Sequence, residues 1–174
     1  MNNMKICCFT GHRDIPDELL AGTEQLLRRA VKGLADNRGV TTFRAGGARG
    51  FDCSAAKAVI ELRDSTHPHL RLELYLPCTD QAAGWTRAQV ADYKYTIAKA
   101  DLVTYVSEKY TSGCMHKRNR TMVDGAGYCV AFLEGNAGGT AYTVDYARRN
   151  GLVVYNLRDI LLQRMEKNIE TEKL

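Results

Sequence analysis

Hydrophobic positions along the chain follow two alternating spacings, and this alternation predicts strands separated by helices. Short apolar runs, typical of strands, are followed by longer segments in which apolar residues recur every three or four positions, as on one face of a helix. The predicted strands are residues 4–9, 41–45, 70–76, 102–106, 128–133 and 152–155. The predicted helices are residues 17–32, 52–62, 81–99, 115–125, 139–150 and 158–168. Such repetition favours a doubly wound α/β domain with a mostly parallel sheet.

The third strand indicates the order of the sheet. The leucines within residues 70–76 alternate with polar or aromatic residues, which gives this strand one apolar and one polar face. Central strands of parallel sheets are apolar on both faces, so the alternation indicates an edge strand. The sequence therefore predicts one Rossmann-like, three-layer domain over residues 1–174, with about six strands in the order 3-2-1-4-5-6. Its core is expected to span residues 5–157, followed by a C-terminal helix over 158–168.

Composition limits the classes of protein to which the chain can belong. Hydrophobic residues make up 45% and charged residues 25% of the 174 residues, which is an ordinary globular composition. The chain contains no run of about 18 apolar residues, so we expect no membrane span and no membrane partner. A net charge of +4 is too small to indicate nucleic-acid binding by itself. The N-terminus lacks the apolar stretch of a signal peptide, which favours a cytoplasmic location.

The six cysteines favour a reduced protein without a metal centre. None of them forms a CxxC pair, the spacing that zinc sites use, and no metal site is predicted. Four of the six fall among apolar or small residues, where a free thiol behaves as a small hydrophobic side chain. We therefore expect no disulfide framework.

Ligands of open α/β sheets bind beyond the carboxyl ends of the strands, and four loops at that end carry unusual residues. The first strand is followed by Gly11, His12 and Arg13, where glycine lets the backbone approach a ligand and arginine can pair with a phosphate. The fourth strand is followed by a basic cluster that contains Arg118 and Asn119. Such clusters are often only solvated helix faces, but this one coincides with the expected cleft, which favours contact with a ligand.

The loop after the second strand places three glycines in front of a helix. Gly46, Gly47 and Gly50 lie where free backbone N–H groups can cradle a phosphate, and their missing side chains allow a ligand to approach closely. Asp52 stands at the start of that helix. We expect it to cap the helix, to bind a ribose hydroxyl, or to do both.

The loop after the fifth strand contains Gly138, Gly139 and Thr140. The helix dipole favours an anion at this point, and the Thr140 hydroxyl can donate to a phosphate or cap the helix. Glycines at two helix starts and arginines in two other loops together predict a phosphate-bearing ligand, a nucleotide or a nucleotide derivative. Trp85 and Tyr93 could stack on its base, but packing between helices is the favoured interpretation.

Four runs, in this order, resemble the YpsA-like branch of the SLOG superfamily. They are residues 10–13 (TGHR), 46–52 (GGARGFD), 118–124 (RNRTMVD) and 138–140 (GGT). The superfamily includes the Rossmann-like domains of the DNA-processing protein DprA/Smf and of the "lonely guy" phosphoribohydrolases. The resemblance covers about residues 5–157. It implies a protein that senses or processes a small nucleotide-derived ligand and that forms a homodimer.

Two parts of the resemblance imply different activities. Residues 45–52 (AGGARGFD) resemble a segment of DprA, which implies binding of single-stranded DNA. Residues 115–118 (MHKR) are similar to a stretch of the phosphoribohydrolases whose arginine acts with a glutamate on an N-glycosidic bond. Thr143 stands where that glutamate would be, and a hydroxyl cannot replace a carboxylate in this chemistry. Asp52 and Arg118 remain as candidate catalytic residues. Three functions stay open: nucleotide binding, nucleotide N-glycosidase activity and single-stranded DNA binding.

Overall fold

The computed structural model of the protein describes residues 3–171, and its side chains up to residue 167. Residues 1, 2 and 172–174, at the ends of the predicted domain, lie outside this range. The strands are β1 (Asn3–Gly11), β2 (Thr42–Ala45), β3 (Arg71–Leu76), β4 (Leu102–Tyr105), β5 (Ala126–Phe132) and β6 (Val153–Asn156). The helices are α1 (Asp17–Arg38), α2 (Phe51–Ser65), α3 (Arg87–Lys99), α4 (Cys114–Val123), α5 (Gly138–Arg149) and α6 (Leu157–Thr171).

The strands form one parallel sheet in the order β4-β3-β2-β1-β5-β6. This confirms the predicted α/β domain with helices on both faces of a parallel sheet. The predicted strand order, 3-2-1-4-5-6, is wrong in the position of the fourth strand. β4 lies at the edge beside β3, and β5 takes the place next to β1.

Apolar and polar residues alternate along β3 although it is not an edge strand, because helices cover the two faces of the sheet unequally. Helices α1, α2, α3 and α6 pack on one face of the sheet, whereas α4 and α5 pack on the other. The leucines of β3 are buried under the first layer. On the second face Glu73 and Tyr75 are only partly buried, and Arg44 lies 3.1 Å from Glu73 and 5.4 Å from the Tyr75 ring centroid. The edge strand on this side of the sheet is β4, whose Leu102 and Tyr105 are exposed.

Two helix boundaries differ from their predicted positions for local reasons. α1 continues to Arg38, where Gly39 adopts the left-handed conformation that ends a helix. α3 begins at Arg87 and not at residue 81, because Thr86 and Gln89 form a capping box in front of it. Residues 79–84 are turns.

The sheet topology places the cleft between β1 and β5. Strands are added outward on one side of β1 as far as β4, and the chain then crosses back through α4 to place β5 on the other side. Ligand crevices of open α/β sheets lie beyond the carboxyl ends of the strands at such a reversal. The crossover also carries the basic helix α4 from the sheet edge towards its centre.

Among residues 3–171, no helix combines the length and apolarity that a bilayer crossing demands. All six cysteine thiols are free, and only Cys53 is not fully buried.

Candidate functional site

A cavity of about 340 Å³ opens at the carboxyl ends of β1 and β5. It brings together eight of the residues predicted from the sequence: Gly11, His12, Arg13, Asp52, Arg118, Asn119, Gly139 and Thr140. The other residues that line it are Thr10, Ala48, Met115 and Met122. None of these four is among the predicted site residues. Ala48, Met115 and Met122 are small or apolar and give no chemical signal in a sequence, whereas Thr10 directly precedes the predicted Gly11. We call this space the anion cavity.

A buried pair of opposite charges forms the wall of the anion cavity between α2 and α4. Arg118 Nη1 donates a hydrogen bond to the carbonyl oxygen of Gly46 and lies 3.7 Å from Asp52 Oδ2. Both side chains are less than a tenth exposed. Arg118 Nε is also buried and has no hydrogen-bond partner among the described residues. Because Arg118 lines the cavity, its positive charge favours an oxygen anion there.

Burial and charge act against each other in this pair. Burial raises the pKa of Asp52, while Arg118 and hydrogen bonds from the backbone of Ala48 and Gly46 lower it by less. Burial also lowers the pKa of Arg118, and Asp52 opposes that change. Arg13, which is exposed at the same cavity, adds a second positive charge. The cavity therefore carries more positive than negative charge.

Neither Asp52 nor Thr140 caps its helix. The N-cap residue of α2 is Gly50, and Asp52 lies in the first turn, turned towards Arg118. The N-cap residue of α5 is Ala137, and Thr140 is the third residue of that helix. The capping interpretation is therefore wrong for both residues. No side chain caps α5, so its first-turn N–H groups keep their hydrogen-bonding capacity beside the cavity.

The glycines of the β2–α2 loop are packed against other residues of the protein, so a side chain at these positions would overlap protein atoms. A Cβ atom on Gly46 would lie 1.6 Å from Arg118 Nη1, and one on Gly50 would lie 2.1 Å from the Arg13 carbonyl oxygen. Gly46 thus lies behind the Arg118–Asp52 pair and does not line the anion cavity. Gly47 and Gly50 line a neighbouring cavity of about 240 Å³.

The glycines at the start of α5 border open space. A Cβ atom on Gly138 or Gly139 would meet no atom within 4 Å. Gly139 lines the anion cavity together with Thr140, while Gly138 does not. The structure thus brings the start of α5 and the guanidinium of Arg118 to one cavity.

Two predicted residues fasten the loops around the cavity. His12 Nε2 accepts a hydrogen bond of 2.9 Å from the backbone N–H of Glu134, which links the β1 and β5 loops. Asn119 Nδ2 donates to Thr143 Oγ1 at 2.8 Å, and Thr143 Oγ1 donates to the Gly139 carbonyl oxygen at 2.7 Å. Thr143 is buried, so the position of the phosphoribohydrolase glutamate holds a structural hydroxyl that ties α4 to α5.

Trp85 and Tyr93 pack against each other, as the favoured interpretation of these residues states. Their ring centroids are 5.5 Å apart with an interplanar angle of 70°. Tyr93 belongs to the core, and burial raises its pKa to about 12. Trp85 is only partly buried and lines the neighbouring cavity. Among the described residues, no group of three His, Cys, Asp or Glu side chains is placed to hold a metal ion.

Several bacterial proteins are similar to this chain over most of its length. The SPbeta prophage-derived protein YoqJ of Bacillus subtilis is 29% identical over 150 residues, which cover 79% of this chain and 82% of YoqJ. A UPF0398 protein of Bacillus thuringiensis is 25% identical over 183 aligned residues, which cover 98% of this chain and 97% of the relative.

Solved structures of DprA share the fold. DprA of Streptococcus pneumoniae matches 92% of this chain with a TM-score of 0.63 and 14% identity, and the chain spans 56% of that protein. DprA of Helicobacter pylori, solved for its single-stranded DNA binding mode, matches 93% of this chain with a TM-score of 0.52 and 14% identity. The chain spans 80% of this second protein.

A family model matches nearly the whole described chain. The model of the YspA SLOG family aligns with residues 8–164, which include every loop of the anion cavity. This confirms the resemblance that the four sequence runs carry. The chain belongs to the YspA SLOG family.

Proposed function

We propose that the protein binds a nucleotide or a nucleotide-derived ligand and holds its phosphate in the anion cavity. The observation that carries this proposal is the convergence of the start of α5 with Arg118 on one cavity of about 340 Å³. Gly139 and Thr140 contribute the free end of a helix, where backbone N–H groups and the helix dipole favour an anion. Arg118 contributes the positive charge of a guanidinium at the wall of the same cavity.

The remaining polar groups of the cavity fit the rest of a nucleotide. Arg13 is exposed and forms no ion pair with any described side chain, so its charge is available to a phosphate. Asp52 is the carboxylate in the lining, and its oxygens can accept hydrogen bonds from ribose hydroxyl groups.

Titration calorimetry with AMP, ADP-ribose and ribose 5-phosphate tests the phosphate site. We expect binding by the wild-type protein and a roughly ten- to hundredfold weaker affinity for Arg118→Lys, because lysine cannot present the paired donors of a guanidinium. Arg120→Lys is the matched control, since Arg120 lies on the same helix, is exposed and does not line the cavity. Equal affinity of the Arg118→Lys and Arg120→Lys proteins for these compounds would exclude the proposed site.

Hydrolysis of a nucleotide N-glycosidic bond is a second candidate function, favoured by the position of Asp52. Its carboxyl lies at the cavity wall, and burial raises its pKa, which favours the protonated form that a general acid needs. A base-release assay with nucleoside monophosphates tests this activity. Release that Asp52→Asn abolishes supports it, and no release by the wild-type protein opposes it.

Binding of single-stranded DNA is a third candidate function, favoured by the shared fold with DprA. A structure of the Helicobacter pylori protein concerns its single-stranded DNA binding mode. Fluorescence anisotropy with labelled oligothymidylate tests this function, because contacts to several phosphates make affinity fall steeply with added salt. We expect weak binding at moderate salt, since the net charge of this chain is only +4.

We also propose a reducing, cytoplasmic location and a homodimer. Free thiols at all six cysteines support a reducing compartment. Light scattering coupled to size-exclusion chromatography tests the proposed dimer. We expect a measured mass that is twice the mass of one chain.

A further inference from the structure

A second cavity adjoins the anion cavity on the opposite side of Arg13. It measures about 240 Å³ and lies between α1, the start of α2, and α3 with the loop that precedes it. Arg13 and Ala48 line both cavities, so one ligand can extend from the first into the second. We call this space the base cavity.

Partly exposed apolar side chains lie among the polar and charged residues that line the base cavity. Trp85 is partly buried, and Leu20 of α1 is 39% exposed. Trp85 is held by Tyr93 and by a hydrogen bond of 3.2 Å from its own backbone N–H to the Ala82 carbonyl oxygen. The capping box that starts at Thr86 fixes the chain directly after it. A fixed indole at a cavity wall is a surface on which a flat aromatic group can stack.

The charges of the two cavities differ in a way that suits the two ends of a nucleotide. In the base cavity Lys57 is paired with Asp92 at 2.8 Å, and Arg49 is paired with Asp14 at 2.9 Å. Outside these ion pairs the lining has the positive charge of Arg13, at the boundary, and the negative charge of Glu24, so it is close to neutral. The anion cavity keeps an excess of positive charge. A phosphate is therefore favoured in the anion cavity, and an uncharged aromatic ring is favoured in the base cavity.

We propose that the two cavities form one bipartite site, in which the base of a nucleotide lies against Trp85 while its phosphate occupies the anion cavity. This inference rests on the proposed nucleotide-binding function and adds the class of ligand. Arg13 lies between the two parts, where it can contact the phosphate. The site therefore takes nucleotides in preference to sugar phosphates that lack a base.

The single tryptophan of the chain makes this proposal testable in the unaltered protein. Trp85 is the sole tryptophan of the sequence, so fluorescence excited at the red edge of tryptophan absorption reports on the base cavity alone. Titrations with AMP, GMP, CMP, UMP and ribose 5-phosphate are followed in parallel by fluorescence and by calorimetry. We expect at least one nucleotide to quench the fluorescence at its calorimetric affinity, and ribose 5-phosphate to bind without quenching.

Variants of two aromatic residues separate stacking from general effects on folding. Stacking of a base on an aromatic ring predicts that Trp85→Ala weakens binding of the quenching nucleotide by roughly tenfold and leaves ribose 5-phosphate unchanged. Trp85→Phe keeps a ring at this position and retains most of the affinity even if the alanine variant folds poorly. Tyr95→Ala is the matched control, because Tyr95 is an exposed aromatic residue of α3 outside both cavities.

The outcomes distinguish this inference from the proposed function. If nucleotides and ribose 5-phosphate bind with equal affinity and no quenching, the phosphate site stands and the base cavity is excluded. If none of the five compounds binds and ADP-ribose does not bind either, the proposed function and the bipartite site are both excluded.

Discussion

Glycines near the site have opposite effects depending on what lies next to them. A Cβ atom on Gly46 would overlap the Arg118 guanidinium, whereas one on Gly139 would enter open space in the anion cavity. Sequence alone marks both as members of glycine-rich loops and cannot separate them, since the difference depends on contacts between distant segments. The glycine of the β2–α2 loop is needed by the protein, and the glycine of α5 leaves room for a ligand.

The two glycines therefore predict opposite outcomes for alanine substitution. Gly46→Ala should lower the free energy of unfolding by about 2–3 kcal/mol, because the added methyl group displaces a buried side chain. Gly139→Ala should leave stability unchanged or raise it by up to about 1 kcal/mol through helix propensity, while weakening phosphate binding. Urea unfolding and calorimetry with AMP measure the two effects. Loss of stability in Gly139→Ala would contradict the assignment of open space there.

The buried carboxyl of Asp52 predicts an unusual dependence of stability on pH. Its pKa is raised from 3.8 in the folded protein, so the folded state keeps this proton to a higher pH than the unfolded chain does. The stabilising contribution is complete below pH 3.8 and is lost as the pH rises through the raised pKa. Relative to Asp52→Asn, which does not titrate, the wild-type free energy of unfolding should fall as the pH rises above 3.8.

Asp36 provides a control of opposite sign for this pH series. Hydrogen bonds from Lys32 and His67 lower its pKa below 3.8, so its contribution is present above that pH and is lost on acidification. Relative to Asp36→Asn, the wild-type protein should therefore lose stability as the pH falls. Urea unfolding at a series of pH values measures both variants. For each variant, the difference in free energy of unfolding from the wild-type protein is plotted against pH. Slopes of the same sign for Asp52→Asn and Asp36→Asn would refute this account of Asp52.

At the scale of elements, the sequence predicts which segments form strands and helices but not where the fourth strand lies. Periodicity reports whether a face is apolar, and on β3 the polar face arises because α4 and α5 leave that part of the sheet thinly covered. Which helices cover which face depends on the crossover after β4, a long-range event without a local signal. The start of α3 was predictable, because the Thr86–Gln89 capping box is present in the sequence.

The link between α4 and α5 gives a prediction at the element scale. Thr143→Val keeps the shape of the side chain but removes the hydroxyl that joins Asn119 to Gly139. We expect a loss of about 1–3 kcal/mol, since the Asn119 amide is left buried without its acceptor. Amide hydrogen exchange should become faster in the first turn of α5. Thr143→Ser keeps the hydroxyl and should retain slow exchange in that turn; fast exchange in the serine variant would assign the effect to packing.

At the scale of the whole molecule, the site forms where the strand order reverses. Strands β2 to β4 lie on one side of β1, and β5 and β6 lie on the other. The loops of β1 and β5 meet at the reversal, and α4 brings Arg118 to them from the far edge. Residues 12, 52, 118 and 139 come from four separate segments, so only the folded sheet assembles the anion cavity. The prediction that these loops converge depends on parallel strands alone, which is why it survives an incorrect strand order.

Because the site spans four segments, a bound ligand should stabilise the whole fold. A ligand at about 100 times its dissociation constant adds about 2.7 kcal/mol to the free energy of unfolding. For a domain of this size each kcal/mol raises the melting temperature by roughly 2–4 °C, so a saturating nucleotide should raise it by about 5–11 °C. The same concentration should give a much smaller shift in Arg118→Lys and a full shift in Arg120→Lys. A shift produced by oligothymidylate at low salt and lost at higher salt, with none from nucleotides, would instead identify the cleft as a single-stranded DNA site.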